Sequence, residues 1–280
     1  LSTTLTTKYC AHDHPMLKKL KISLWTLAIV TVIMGAKFLI HTWGVEVFSL
    51  NALFSSAIAG AIFIIGFLLA GIIADYKEAE KIPADMRSSL ENIWEEGKFF
   101  SRDKKEFDLA KMRERIVAIV RSFIKGLGHE GDHYKLEPCI ASVNELSESY
   151  AQMEKLDMPP NYIVRLEGEQ AAVRRSVLRV YHIQRTQFLP SAHVLAESLA
   201  LGIVFLLLFV QTEGSPESVV LLGFISYLLL YIRQLIRAIE KPFRQGHDTM
   251  DDISLFLLKE FEQQLTQSSE AKVATLSAQQ

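Results

Sequence analysis

The chain is 280 residues long, with 49% apolar residues, 22% charged residues and a formal net charge of −2. A charge so near zero, with no basic tract interleaved with aromatics, excludes a nucleic-acid-binding protein. The apolar residues are gathered into a few long blocks between highly charged stretches, the pattern of a membrane protein with a sizeable soluble part.

Residues 1–21 are polar and lack the apolar core and cleavage site of a signal peptide, so the first apolar block is expected to remain in the mature protein. His12, Asp13 and His14 carry metal-ligand chemistry, but in a polar terminal stretch they are expected to be solvated. Cys10 and Cys139 have no CxxC or Cys/His spacing and are expected to be free thiols in a reducing compartment.

A helix needs roughly 20 mostly apolar residues to cross a bilayer, and four blocks meet that description. Ile22 to Trp43 is the first, with Lys37 and His41 near one end, where a long side chain can snorkel. Leu50 to Ala74 is the second and carries no charge until Asp75. Phe188 to Val210 is the third, with His193 and Glu197 in its first half. Ser218 to Ile232 is the fourth and continues as an amphipathic stretch to Glu240. The chain therefore divides into a polar segment 1–21, a helix pair 22–74, a middle segment 75–187, a second pair 188–240 and a tail 241–280.

Basic residues decide the orientation. The turn Gly44 to Ser49 holds Glu46, and the turn Gln211 to Glu217 holds Glu213 and Glu217; neither contains Lys or Arg. Lys18, Lys19, Lys21, Lys77, Lys81, Arg179, Arg185, Arg233 and Arg237 flank the opposite ends. The positive-inside rule puts both tight turns outside and both termini, with the middle segment, in the cytoplasm.

The middle segment reads as helix almost throughout. Ile82 and Pro83 open a one-sided pattern through Met86, Leu90, Ile93 and Trp94. Phe107 to Leu127 forms a second helix ending near Gly126 and Gly128, and Ile140 to Leu156 a third. Pro159 and Pro160 break the chain before a long fourth helix, Tyr162 to Gln187. No useful strand alternation appears, so the fold class is all-α. The Ser-, Ala- and Gln-rich stretch after Gln267 is expected to lack regular structure.

No P-loop, GxGxxG, HExxH or nucleophile elbow is present, so the pattern points away from an enzyme and implies no cofactor. His193 and Glu197, four apart, share a helix face and suit either a packing hydrogen bond or a proton relay. In the second block, Ser56, Ala57, Gly60 and Ala61 form overlapping pairs of small residues four apart, which let helices approach closely. Ala59, Phe63 and Phe67 make a stripe along one side. Several copies around an axis, with that stripe inward, would form an apolar constriction that gates by dewetting; in any other arrangement the stripe packs on neighbours or lipid.

Four short stretches resemble the bestrophin family of ion channels and its bacterial relatives. Gly66-Phe67 followed by Tyr76-Lys77-Glu78-Ala79-Glu80 is similar to the end of that family's second membrane helix. Ile225-Ser226-Tyr227 and Ile239-Glu240-Lys241-Pro242-Phe243 are similar to its fourth span and Pro-Phe element. The resemblance implies a homopentamer in the bacterial plasma membrane, conducting small monovalent ions, chloride foremost, through one axial pore. Its neck falls on Ala59, Phe63 and Phe67, with Ala59 smaller than the family's residue there, and its cytoplasmic aperture on Tyr162 and Ile163. The family's calcium run after Pro-Phe is thinned here to Asp248, Asp251 and Asp252, interrupted by Arg244 and His247. Glu46, Glu213 and Glu217 would put acidic groups at the outer mouth, which favours cations. The rival readings are a cation channel of the same architecture, a membrane-anchored scaffold, and a proton-coupled transporter using His193 and Glu197.

Overall fold

The structure, a computed structural model, describes residues 15–49, 51–127, 136–185, 190–211, 216–239, 242–243 and 252–277. Within them the chain is helical: α1 Pro15–Thr42, α2 Ala52–Asp103, α3 Leu109–Leu127, α4 Glu137–Lys155, α5 Pro160–Arg185, α6 Pro190–Leu208, α7 Pro216–Ile239 and α8 Phe256–Ser277. Local chemistry sets many of the ends. Four helices open on proline, whose missing N–H costs nothing in a first turn. Asn51 Oδ1 accepts a hydrogen bond from Phe54 N at 2.8 Å, capping α2, and Asp108 Oδ1 does the same for Lys111 N at 2.9 Å on α3.

Among the described residues, the first compact unit falls within 15–63 and 197–235, and so holds all of α1, the start of α2, and most of α6 and α7. Its surface is apolar: Trp25, Val32, Phe38, Trp43, Leu53, Phe205 and Val220 are all more than half exposed. Trp25 and Trp43 are 18 residues apart, about 27 Å along a helix axis, which suits a pair of interfacial anchors. Inside, the contacts are close. A Cβ added at Gly223 of α7 would lie 3.4 Å from Met34 Sδ of α1, and the Ser23 and Tyr227 hydroxyls hydrogen-bond at 2.9 Å. The turn ending α1 is a Schellman motif: Gly44 N donates to His41 O at 3.1 Å and Val45 N to Ile40 O at 3.2 Å. Gly44 has a φ of +66°, a conformation glycine adopts without strain. The chain then pairs with the end of α6 through Phe48 N to Phe209 O, 3.1 Å, and Gln211 N to Phe48 O, 2.7 Å. Among the described residues, three helices are long and apolar enough to cross a membrane, within Ile22–Thr42, Ala52–Asp103 and Ser218–Ile239; the apolar stretch of α6, His193–Leu208, is shorter.

The second unit comprises Ile64–Ala196, Ile236–His247 and Asp251–Gln280. It is built in the ordinary sense, around a core of Met86, Leu90 and Ile93 from α2, Met112, Ile116 and Phe123 from α3, Val143 and Leu146 from α4, Leu166 and Val173 from α5, and Leu258 and Phe261 from α8. Gly97 lets α2 and α3 meet, since a Cβ there would lie 2.4 Å from Met112 Sδ. Ion pairs ring this core: Arg165 with Glu96, Arg179 with Glu78, and Arg121 with Glu262.

Two expectations are corrected by the helices themselves. Pro83 does not open a new helix; it lies inside α2, which runs unbroken for 52 residues. The proline forfeits one hydrogen bond to the Ala79 carbonyl, but Ala79, Ile82 and Met86 around it are buried in the second unit's core, and that packing holds the helix together. The tail, expected to be irregular past Gln267, is helical through Ser277 in α8.

Candidate functional site

The stripe on α2 is positioned by what the opposite side of the helix buries. At 100° per residue, Ala61, Ile65 and Ile72 fall on one line, and they are 7%, 1% and 7% exposed. Ala59, Phe63 and Phe67 lie roughly half a turn away. Phe63 is 75% exposed and Phe67 73%. Two phenylalanines of an apolar helix therefore face away from the described residues of their own chain. Of the small residues, Ala61 faces inward, but Ser56 and Ala57 are exposed, and a Cβ on Gly60 or Gly66 would meet nothing within 4 Å. The close approach that small residues permit is thus offered outward.

At the start of α5, Tyr162 is 37% exposed and Arg165 stacks its guanidinium over the Tyr162 ring at 5.4 Å. Tyr162 also lines a cleft of about 510 Å³ with Phe99, Phe100 and Met158. Ile163 is half-buried and packs on the second unit's core. Val164, which no motif or spacing singles out, is 66% exposed. It lies about 160° around α5 from buried Leu166. Only the burial of Leu166, Gln170 and Val173 fixes the inward face of α5, and no sequence signal at Val164 itself indicates its direction.

Glu46, in the turn after α1, is largely enclosed. The Glu46 side chain is 10% exposed, and its Oε1 accepts from Lys37 Nζ at 2.6 Å and lies 3.1 Å from His41 Nδ1. Lys37 does not snorkel. It is buried, and its ammonium also donates to the carbonyls of Leu208, at 3.2 Å, and Val210. Three acceptors match the three donors of a lysine ammonium, and they tie α1, the outer turn and the end of α6 together. Glu213 lies outside the described residues, as does the side chain of Glu217 in α7.

Glu197 is likewise engaged elsewhere than on its own helix. Its Oε1 accepts from Arg233 Nη2 at 2.8 Å and Nε at 3.0 Å, an α6–α7 ion pair with both side chains about a quarter exposed. Of the thinned acidic run, Asp252 is half-buried, while Asp248 and Asp251 lie outside the described residues, as do Cys10, His12, Asp13 and His14. Among the described residues no group of three or more His, Cys, Asp or Glu side chains comes together. Cys139 is free and buried, and burial pushes its thiol up to about 11.

No family sequence profile matches the chain, and no curated protein matches it in sequence. Solved structures do. A bacterial bestrophin homologue from Klebsiella pneumoniae, in a point-mutant form, superposes with a TM-score of 0.74 at 13% identity, covering 89% of this chain and 99% of that one. The same homologue phased from zinc gives 0.73 at 13% identity, over 86% and 96%. A structure described as a membrane protein gives 0.73 at 13% identity, over 88% and 97%. At such identity the likeness speaks to the backbone, over nearly the whole of both chains: the protein has a bestrophin-like fold.

Proposed function

We propose that this chain is one subunit of a homopentameric, bestrophin-like ion channel of a bacterial plasma membrane. The observation that carries this reading is the outward stripe of α2. Phe63 and Phe67 are three-quarters exposed on the side opposite the helix's own packing face. In a five-fold assembly that side supplies a ring of apolar groups, a constriction of the sort that gates by dewetting. The bestrophin-like fold supports the same arrangement.

In this reading α1, α2, α6 and α7 all cross the bilayer, with both termini cytoplasmic. α6 has 19 residues, about 28 Å of helix, against roughly 30 Å of hydrocarbon. Ala59, Phe63 and Phe67 form the neck. The cytoplasmic aperture lies at the start of α5, where the exposed Val164 is better turned to line it than Tyr162 or Ile163. The permeant species are small monovalent ions, with chloride favoured because Lys37 takes up the charge of Glu46. A cation-selective channel of the same architecture is the second reading, favoured by Glu213 and Glu217 in the other outer turn.

The test is current through purified protein in a planar bilayer under a potassium chloride gradient, with wild type beside Phe63→Ala. The expected result is a channel whose open fraction rises severalfold when the phenyl ring is removed, since a wider, shorter apolar constriction dewets less readily. Well-folded protein that runs as a monomer in detergent and passes no current would sink the proposal in favour of a membrane-anchored scaffold.

A further inference from the structure

The stripe does not end at the neck. Eighteen residues are five helical turns, so the line through Ala59, Phe63 and Phe67 is repeated on α2 by Lys77, Lys81 and Asp85, all exposed. The intervening turns on that line are Ala70 and Ala74, too short to screen the longer side chains beyond them. In sequence this stretch looks charge-neutral or slightly acidic, with Asp75, Glu78 and Glu80 interleaved with the two lysines. The helix sorts them. Lys81 falls on the azimuth of Phe63 and Lys77 on that of Ala59, whereas Asp75 and Glu80 are turned about 100° or more from Phe63; Glu78 lies about 60° from Phe63 and about 20° from Phe67. Asp75 is half-buried, and Glu78 accepts from Arg179 Nη2 of α5 at 2.8 Å. Two basic groups therefore share the line of the phenylalanines; of the two acids beside it, Glu78 is held by Arg179, and Asp85 comes one turn beyond the lysines.

Resting on the channel reading, we propose that Lys77 and Lys81 are the selectivity-determining residues of this pore. In a five-fold assembly they make two rings of ammonium groups on the cytoplasmic side of the neck, about 15 and 21 Å along the helix from Phe67. Rings of lysine raise the local concentration of anions and repel cations before either reaches the apolar constriction, which itself carries no charge to discriminate between them. Asp85 opposes them from deeper in the vestibule. The pathway is thus selective for small anions through charge placed beside the neck, not in it.

The experiment is the reversal potential of full-length protein in a planar bilayer, bathed in potassium chloride at a tenfold gradient. Wild type is expected to reverse towards the chloride potential. Lys77→Glu/Lys81→Glu is expected to lower the chloride-to-potassium permeability ratio at least tenfold, and Asp85→Asn to raise it. Should the doubly reversed chain fail to assemble, Lys77→Gln/Lys81→Gln must still move the ratio the same way, by at least threefold. Wild-type selectivity must also weaken between 0.1 M and 1 M salt, as the screening length falls from about 10 Å to about 3 Å. Intact current with an unchanged ratio in the glutamine and glutamate variants, or a wild type that already prefers potassium, would overturn this inference and leave the pore standing. Absence of current in folded wild type would instead overturn the channel reading beneath it.

Discussion

The two units of this molecule solve opposite solvation problems with the same residue types. The second unit buries Phe123, Leu90 and Met86 and sets Arg165 and Arg179, with most of its charged residues, at the rim. The first exposes Trp25, Phe38 and Leu53 and buries Lys37, Thr26 and Ser226. Around the second unit water rewards the exposed charge, and apolar burial drives folding. Around the first, lipid is as apolar as the side chains, so burying leucine gains little and association rests on close packing and interhelical hydrogen bonds. A lysine and a glutamate that would contribute little on a wet surface become a principal tie inside the first unit, while similar pairs around the second are ornaments of its surface.

Substitution at Lys37 tests that contrast most severely. Lys37→Ala leaves Glu46 buried and strips two carbonyls of a donor. A broken buried pair costs about 3–5 kcal/mol, which is expected as a large fall in the unfolding midpoint in detergent; restoring part of it with Lys37→Met/Glu46→Gln would locate the cost in the stranded carboxylate. A midpoint unchanged in the single variant would erase the distinction between the units.

A smaller effect should come from pH in the second unit. The Cys139 thiol, with an ordinary value of 9.0, is held up at about 11 by burial, with Ser122 partly offsetting it. Tyr150 is shifted upward too, by burial first and then by Glu167 and Glu169. Above pH 9 the unfolded chain loses the cysteine proton while the folded chain keeps it. Stability is thus complete below 9 and falls by about 1.4 kcal/mol per pH unit until about 11. Comparing wild type with Cys139→Ala across that window isolates the contribution, and identical pH profiles would refute it.

The smallest change belongs to the surface of the same unit. Arg165→Ala removes the pair with Glu96, where the arginine is well exposed. About 0–1 kcal/mol is expected, read as a slight shift in the thermal midpoint. A loss comparable to that at Lys37 would mean that exposure is a poor guide to the value of an ion pair in this protein.

Much of this architecture is legible in the sequence because long apolar runs and prolines are local signals. The blocks at Ile22, Leu50 and Ser218 correspond to α1, α2 and α7, and the Pro159–Pro160 break falls between α4 and α5. The features that escaped depend on partners far along the chain. Lys37 meets carbonyls 171 and 173 residues away, and Arg233 reaches Glu197 across 36, so neither pairing leaves a periodic trace. Pro83 misleads because a lone proline normally marks a boundary, and only tertiary packing keeps α2 whole through it. The stripe of Ala59, Phe63 and Phe67 is visible as spacing; its outward direction is not, because periodicity gives faces without saying which face the fold buries.

An unbroken α2 is also a mechanical part. Its 52 residues make a rod about 78 Å long, clamped in the second unit's core at Met86 and Leu90. Met86 and Phe67 are 19 residues apart, so a tilt of about 5° about Met86 swings Phe67 by about 2.5 Å, nearly the diameter of a water molecule. A lever of that ratio turns slight repacking against α3 or α8 into a displacement of Phe67, and in the proposed channel a force applied at the far end of α2 would be felt at the neck.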